Sequence, residues 1–418
     1  MGIVEDLLDA RARTLSLALD LDDQRWLGPE LAIVNPLRWE LGHVAWFQEY
    51  WTLRRARGAG PIRDDGDALY DSSRVAHATR WTLPLPGRAG TLAYLDETLA
   101  RCLEAAKDGG DLYSHHLALF HEDMHDEAFT YTRQTLGYPA PPFATLEHRA
   151  AGALGGGPLP GDVEVPGARF MLGATEREPF VFDNEKWAHP VDVPTFRIAR
   201  AAVTNEQFAD FVAAKGYERR DLWSDEGWRW RAESGATHPV YWTATAEGFD
   251  VRRYADVVAL APYEPVIHVS WHEAQAYCCW AKRRLPTEAE WELAASTVEK
   301  RRFPWGEERP TAARANLDAH RGGPVDVGAL PDGDSMFGCR QMNGNVWEWT
   351  ASDFEPYPGF VVDPYAEYSA PWFASPHKVL RGGCWATRGR LLRNTWRNFY
   401  PPHRRDVLAG LRTCALEP

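Results

Sequence analysis

The chain has 418 residues, more than one hydrophobic core usually organises, so two domains are expected. Hydrophobic residues make up 44% and charged residues 25%, the balance of an ordinary soluble globular protein. The net charge of −13 argues against an extended nucleic-acid surface.

No apolar run approaches the roughly 20 residues that span a bilayer. The acidic start, Gly2-Ile3-Val4-Glu5-Asp6, lacks the basic n-region of a secretory signal, and a cytoplasmic location is expected. Six scattered cysteines include no C-x-x-C pair, so reduced thiols are expected rather than a zinc knuckle or disulfide framework. Tryptophan is common, with 19 residues, and aromatic-rich surfaces suit organic cations as well as packing.

Residues 1 to about 138 read as helical. Apolar spacing predicts a first helix from Val4 through Leu17. A second starts at Pro36, with Asn35 as N-cap, and runs through Leu37, Leu41, Val44 and Trp46 toward Tyr50, carrying His43. A third begins near Gly90 and covers Leu92, Leu95, Leu99 and Leu103; a fourth runs from about Leu112 to Leu136. Four helices with one long connection, about 58–88, predict an antiparallel bundle.

The fourth helix holds His121-Glu122-Asp123-Met124-His125. Residues i and i+4 share a helix face, so the two imidazoles can hold one metal ion. The same spacing satisfies the H-E-x-x-H pattern of zinc proteases, in which Glu122 would be the catalytic base. It also arises by chance. His43 is the natural third ligand, although a lone helical histidine is more often a packed one. Glu122 and Asp126 flank the pair, either as groups that orient the imidazoles or as solvated helix-face charges.

Gly137-Tyr138-Pro139 ends the helix, and the Gly/Pro-rich stretch 152–167 has linker composition, which sets a helical domain at 1–150 and a second at 160–418. The second domain reads as α+β with much irregular structure. Thr204 or Asn205 is expected to cap one helix, and Ser270/Glu273 and Thr287/Glu290 to form capping boxes on two others.

Gly167 to Gly173, Pro265 to Trp271, Arg284 to Glu292, Phe303-Pro304-Trp305-Gly306, Gln341 to Trp349 and Arg381-Gly382-Gly383 follow the order found in formylglycine-generating-enzyme-like domains. The chain resembles that family over about 165–415, which implies a C-type-lectin-like topology. Those enzymes bind copper through two cysteines shortly after the Arg-Gly-Gly motif. Here Cys384 is followed by Trp385-Ala386-Thr387-Arg388 and the next cysteine is Cys414, so that activity is not expected and Cys384 reads as a small packing residue.

The N-terminal half resembles a DinB-like bundle. The pair of domains resembles the ergothioneine sulfoxide synthases and the related selenoneine synthases, which act on hercynine. The resemblance implies a non-haem Fe(II) site on His43, His121 and His125. Three imidazoles fill one face of the ion and leave up to three positions for O2, donor and substrate.

The family's tail motif Arg-Asn-Trp-Asp appears as Arg397-Asn398-Phe399-Tyr400, and its H-E-Q-Q-H has Met124 in place of a glutamine. The segment that holds γ-glutamylcysteine in mycobacterial relatives is altered in Tyr70–Trp81, where Arg74 and Arg80 are the candidate contacts. These departures place the chain nearest the selenoneine synthases, with a selenosugar donor. Asn398 then bonds hercynine, Trp396, Phe399 and Tyr400 offer its trimethylammonium an aromatic surface, and Tyr365 or Tyr368 serves as proton or radical partner. Two alternatives stay open: a sulfoxide synthase joining cysteine or γ-glutamylcysteine to hercynine, and a catalytically inert lectin-like binding protein.

Overall fold

The computed structural model describes residues 2–107, 109 and 111–417. The chain divides into two compact units, Met1–Pro142 and Phe143–Pro418. No helix among the described residues is long and apolar enough to cross a membrane.

The first unit is helical. Its elements are α1 (Ile3–Ser16), α2 (Asp23–Leu27), α3 (Leu37–Gln48), α4 (Gly66–Tyr70), α5 (Arg88–Lys107) and α6 (Leu112–Leu136). The bundle forms because α3 packs on α5 and α6 while α1 packs on the same two helices. Helix α6 has the bounds its signals predict: Asp111 caps it, accepting from the Tyr113 and Ser114 N–H groups, and Gly137 ends it in the left-handed region at φ 64°.

Helix α3 departs from expectation at both ends. Asn35 does not cap it; Pro36 holds that position, and the Asn35 carboxamide oxygen accepts from Arg80 at 2.6 Å. At its far end the chain continues as a π-helix, Glu49–Arg55. This helix is buried around almost its whole circumference, including the polar Glu40, His43 and Gln48. A polar group in such a position needs a specific partner. Gly42 lets α4 approach: a Cβ there would stand 2.2 Å from the Tyr70 ring.

The second unit mixes short helices with small sheets. Its helices are α7 (Leu146–Gly152), α8 (Asn205–Ala213), α9 (Asp225–Ser234), α10 (Trp271–Trp280) and α11 (Glu288–Ser296). The strands are β1 (Asp162–Val165), β2 (Ala168–Leu172), β3 (His189–Val193), β4 (Phe196–Ala199), β5 (Trp242–Thr245), β6 (Gly248–Arg253) and β7 (Asp256–Ala259). They continue as β8 (Arg283–Arg284), β9 (Trp347–Asp353), β10 (Lys378–Arg381), β11 (Asn398–Tyr400), β12 (Ala409–Leu411) and β13 (Cys414–Ala415). Two four-stranded sheets have the orders β1-β4-β13-β8 and β11-β10-β9-β12, beside the pair β2-β3 and the meander β5-β6-β7.

The capping signals hold. Thr204 caps α8, Ser270 and Glu273 exchange bonds at the start of α10, and Thr287 and Glu290 do so at α11. The Trp-Glu-Trp motif is core: Trp347 and Trp349 are fully buried on β9, and Glu348 between them takes Arg412 at 2.9 Å and the Trp291 indole at 2.7 Å. Three more arginine–glutamate pairs, Arg381–Glu292, Arg393–Glu185 and Arg397–Glu288, are buried in the same unit. The Gly/Pro stretch is anchored to the second unit at a few points and is not a free linker. The Gly156 and Gly157 N–H groups both donate to Asp326 at 3.0 Å, and Leu154 packs on Val325, Ala329 and Leu330.

Candidate metal centre

His43 comes from α3 and His121 and His125 from α6, so helix packing inside the first unit joins them. One nitrogen of each lies within 4.8 Å of the others. His121 Nε2 stands 3.2 Å from both His43 Nε2 and His125 Nε2. Two nitrogens about 2.1 Å from a shared ion lie roughly 3.0 Å apart in cis-octahedral geometry and roughly 3.4 Å apart in tetrahedral geometry. The observed spacing falls between the two.

The other ring nitrogens set the tautomers. His43 Nδ1–H donates to the Tyr70 carbonyl at 2.8 Å, and His125 Nδ1–H donates to the Glu40 carboxylate at 2.6 Å. Each ring therefore presents an Nε2 lone pair to the common point. His121 is held by stacking on Phe47, with ring centroids 3.6 Å apart and 4° between planes. His43 stacks between Trp39 at 4.9 Å and Trp46 at 5.9 Å. Burial, reinforced by the neighbouring imidazoles, pushes His43 and His121 well below the usual histidine range, which keeps them neutral ligands. Three convergent imidazoles fit a borderline divalent ion such as Fe(II). Among the described residues this is the only cluster of its kind.

Glu122 is neither a protease base nor a partner of the imidazoles, and it is not solvated. Its carboxylate is buried against α1, accepting from Arg11 Nε at 2.8 Å and from the Thr14 hydroxyl at 2.9 Å. Asp126 shares that side, its Oδ1 2.8 Å from the Thr14 hydroxyl oxygen, and burial raises its carboxyl well above the usual range. Glu40 is the carboxylate that meets a ligand, and the sequence reading missed it. The available signal was a lone acid in a helix that is otherwise apolar around most of its face.

The remaining predicted residues are spread more widely. Met124 is half-buried on α6, one residue before His125. Arg74 is exposed and pairs with Asp71 at 3.1 Å. Arg80 is buried over the face of Trp39 at 3.8 Å.

In the second unit, Arg397 bonds Glu288 at 3.0 Å and the carbonyls of Asn184 and Glu355. Trp396 is buried against Trp347 at 5.0 Å. Asn398, Phe399 and Tyr400 form edge strand β11, where the Asn398 side chain accepts from the Phe399 N–H at 2.8 Å. Arg404 lies over the Tyr400 ring at 5.3 Å. Phe399, Tyr368 and Tyr365 do meet: Tyr368 lies 6.2 Å from Phe399 and 6.1 Å from Tyr365, and stacks on Phe182 at 4.3 Å. Burial pushes the Tyr368 hydroxyl up. None of the six cysteines is in a disulfide, and Cys384 is buried as a packing residue, its N–H bonded to Thr387 at 2.9 Å.

Comparison with known proteins decides the family. The chain is 39% identical over 416 residues to a hercynine oxygenase of Mycobacterium tuberculosis, covering 97% of this chain and 96% of that one. The chain belongs to the hercynine oxygenase family. A second member, from Mycolicibacterium thermoresistibile, is 39% identical over 434 residues, covering 98% and 94%. Within this family layout, residues 6–133 match the DinB superfamily and residues 151–416 match the sulfatase-modifying factor enzyme 1-like domain. The formylglycine-generating enzyme of Thermomonospora curvata matches at 35% identity over 46% of this chain and 71% of its own. That match is partial; the family members match over nearly the whole chain.

Proposed function

We propose that the chain is an O2-dependent non-haem Fe(II) enzyme that joins selenium from a selenosugar to the imidazole C2 of hercynine. The observation that carries the reading is the convergence of His43, His121 and His125 in a chain that matches hercynine oxygenases over nearly its full length. His43, His121 and His125 hold the ion. Bound there, iron would supply O2 activation and an anchor for the soft chalcogen.

The protein's own residues bind, orient and protonate. Trp39, Trp46 and Phe47 pack the ligand rings into one orientation and keep water from their apolar faces. Asn398 bonds hercynine, and Trp396, Phe399 and Tyr400 receive its trimethylammonium, each aromatic contact contributing roughly 0.5–2 kcal/mol. Tyr368 or Tyr365 delivers the proton; burial keeps the Tyr368 hydroxyl protonated and able to donate.

Selenium rather than sulfur is favoured by the state of the two candidate arginines. A donor such as γ-glutamylcysteine needs cations for its carboxylates. Arg74 is paired with Asp71, and Arg80 is committed to Asn35, the Val75 carbonyl and Trp39. A selenosugar, which carries no carboxylate, needs no such clamp. Met124 in place of an amide adds a soft, polarizable neighbour to the ligand helix.

The test is turnover by Fe(II)-loaded protein with hercynine, O2 and, in separate reactions, a selenosugar, cysteine and γ-glutamylcysteine. A mass-identified hercynyl selenide from the selenosugar alone is expected. Efficient turnover with cysteine or γ-glutamylcysteine, and none with the selenosugar, would reverse the choice in favour of a sulfoxide synthase. Absence of O2 consumption with every donor would favour a binding protein.

A further inference from the structure

The Glu40 carboxylate is 1% exposed and accepts a single hydrogen bond, from His125 Nδ1 at 2.6 Å. Its second oxygen, Oε2, is buried with no hydrogen-bond partner. Arg80 lies within electrostatic reach, but its guanidinium is bonded to Asn35 and the Val75 carbonyl and stacked on Trp39. Other buried glutamates of the unit are served differently. Glu122 has Arg11 and Thr14, and Glu49 has the Tyr94 hydroxyl, the Ile62 N–H and Arg54. A buried carboxylate so thinly compensated is costly unless a charge of opposite sign is bound nearby.

We propose that Glu40 is a positioning residue reserved for the metal: its charge is the built-in counter-charge of a dication on His125. This rests on the three-histidine reading above and deepens it. The carboxylate fixes the ring's tautomer, strengthens Nε2 as a donor, and is itself balanced when an ion binds on the far side of the ring. Without metal the bundle therefore bears a thinly compensated charge, and it recovers that cost when metal enters.

Glu40→Gln separates this role from simple packing, because its two effects have opposite signs. The amide oxygen still accepts from His125, but the charge is gone. The experiment measures urea midpoints of metal-free protein and Co(II) affinity from ligand-field absorption, both at pH 8, above the ordinary histidine value of about 6.5. For Glu40→Gln the metal-free midpoint should rise while Co(II) affinity falls by about 10–100-fold. Glu40→Asp, which keeps the charge and shortens the reach, should weaken Co(II) binding without raising the midpoint. Wild-type protein that binds no Co(II) would remove the three-histidine reading and this proposal with it. Tight Co(II) binding by wild type, with either equal binding by Glu40→Gln or a lowered metal-free midpoint for that variant, would overturn the proposal alone.

Discussion

Arg11 and Glu122 form a buried ion pair across the helical unit, Nε to Oε1 at 2.8 Å, one residue along from a candidate ligand. The same guanidinium donates to the Leu95 carbonyl at 2.5 Å and to Gln48 at 3.0 Å. One side chain from α1 thus ties α3, α5 and α6 together. Arg11→Ala strands Glu122 in the core, and loss of one partner of such a pair costs about 3–5 kcal/mol. The expected outcome is a large fall in the urea midpoint of the metal-free protein. An unchanged midpoint would mean the pair contributes nothing net.

Gly42 should be intolerant of even one methyl group. A Cβ there meets the Tyr70 ring at 2.2 Å, and the Tyr70 carbonyl is what fixes the His43 tautomer. Overpacking of this kind costs about 1–3 kcal/mol. Gly42→Ala should lower the midpoint and weaken Co(II) binding together. Titration of the variant with Co(II) checks the second effect, and wild-type affinity would show that α4 relaxes freely.

The two tyrosines can be told apart by removing one hydroxyl at a time. Tyr368→Phe keeps the stacking on Phe182 and loses only the proton. If Tyr368 is the donor, turnover falls by about 10²–10⁴-fold with hercynine affinity unchanged, and Tyr365→Phe leaves turnover near wild type. The reverse pattern assigns the role to Tyr365. Steady-state rates and hercynine binding, measured separately, distinguish the two.

Acid sensitivity of the second unit has an identifiable source in His268. Burial lowers this histidine from 6.5 to about 3, and its Nδ1 donates to the Asp406 carbonyl at 3.1 Å. Above pH 6.5 the ring is neutral folded or unfolded. As pH falls from there toward about 3, the unfolded chain takes up a proton that the folded chain refuses, so stability drops. Between pH 7 and 5 this one group accounts for about 2 kcal/mol. His268→Asn is the suitable variant, since the position has φ 62°, which asparagine tolerates. Urea midpoints against pH should be shallower for the variant; parallel curves would exonerate His268.

Much of the local structure was legible from the chain. The bounds of α6, the Ser270/Glu273 and Thr287/Glu290 boxes and the 121/125 pairing are all set within four residues of sequence. The Asn35 cap was misread because a competing partner, Arg80, lies 45 residues away. The linker was misread because Asp326, which engages the Gly156 and Gly157 N–H groups, lies about 170 residues away.

By itself, then, the sequence determined which histidines share a helix face and which domains are present, since spacing and local motifs are enough for both. Tertiary structure decided which acid serves the site. Successive residues on a helix point about 100° apart, so His121 and His125 face α3 while Glu122 and Asp126 face α1. The carboxylate next to a ligand in sequence is thereby turned away from it. Glu40, 85 residues from His125, is delivered to that ring by the packing of α3 on α6.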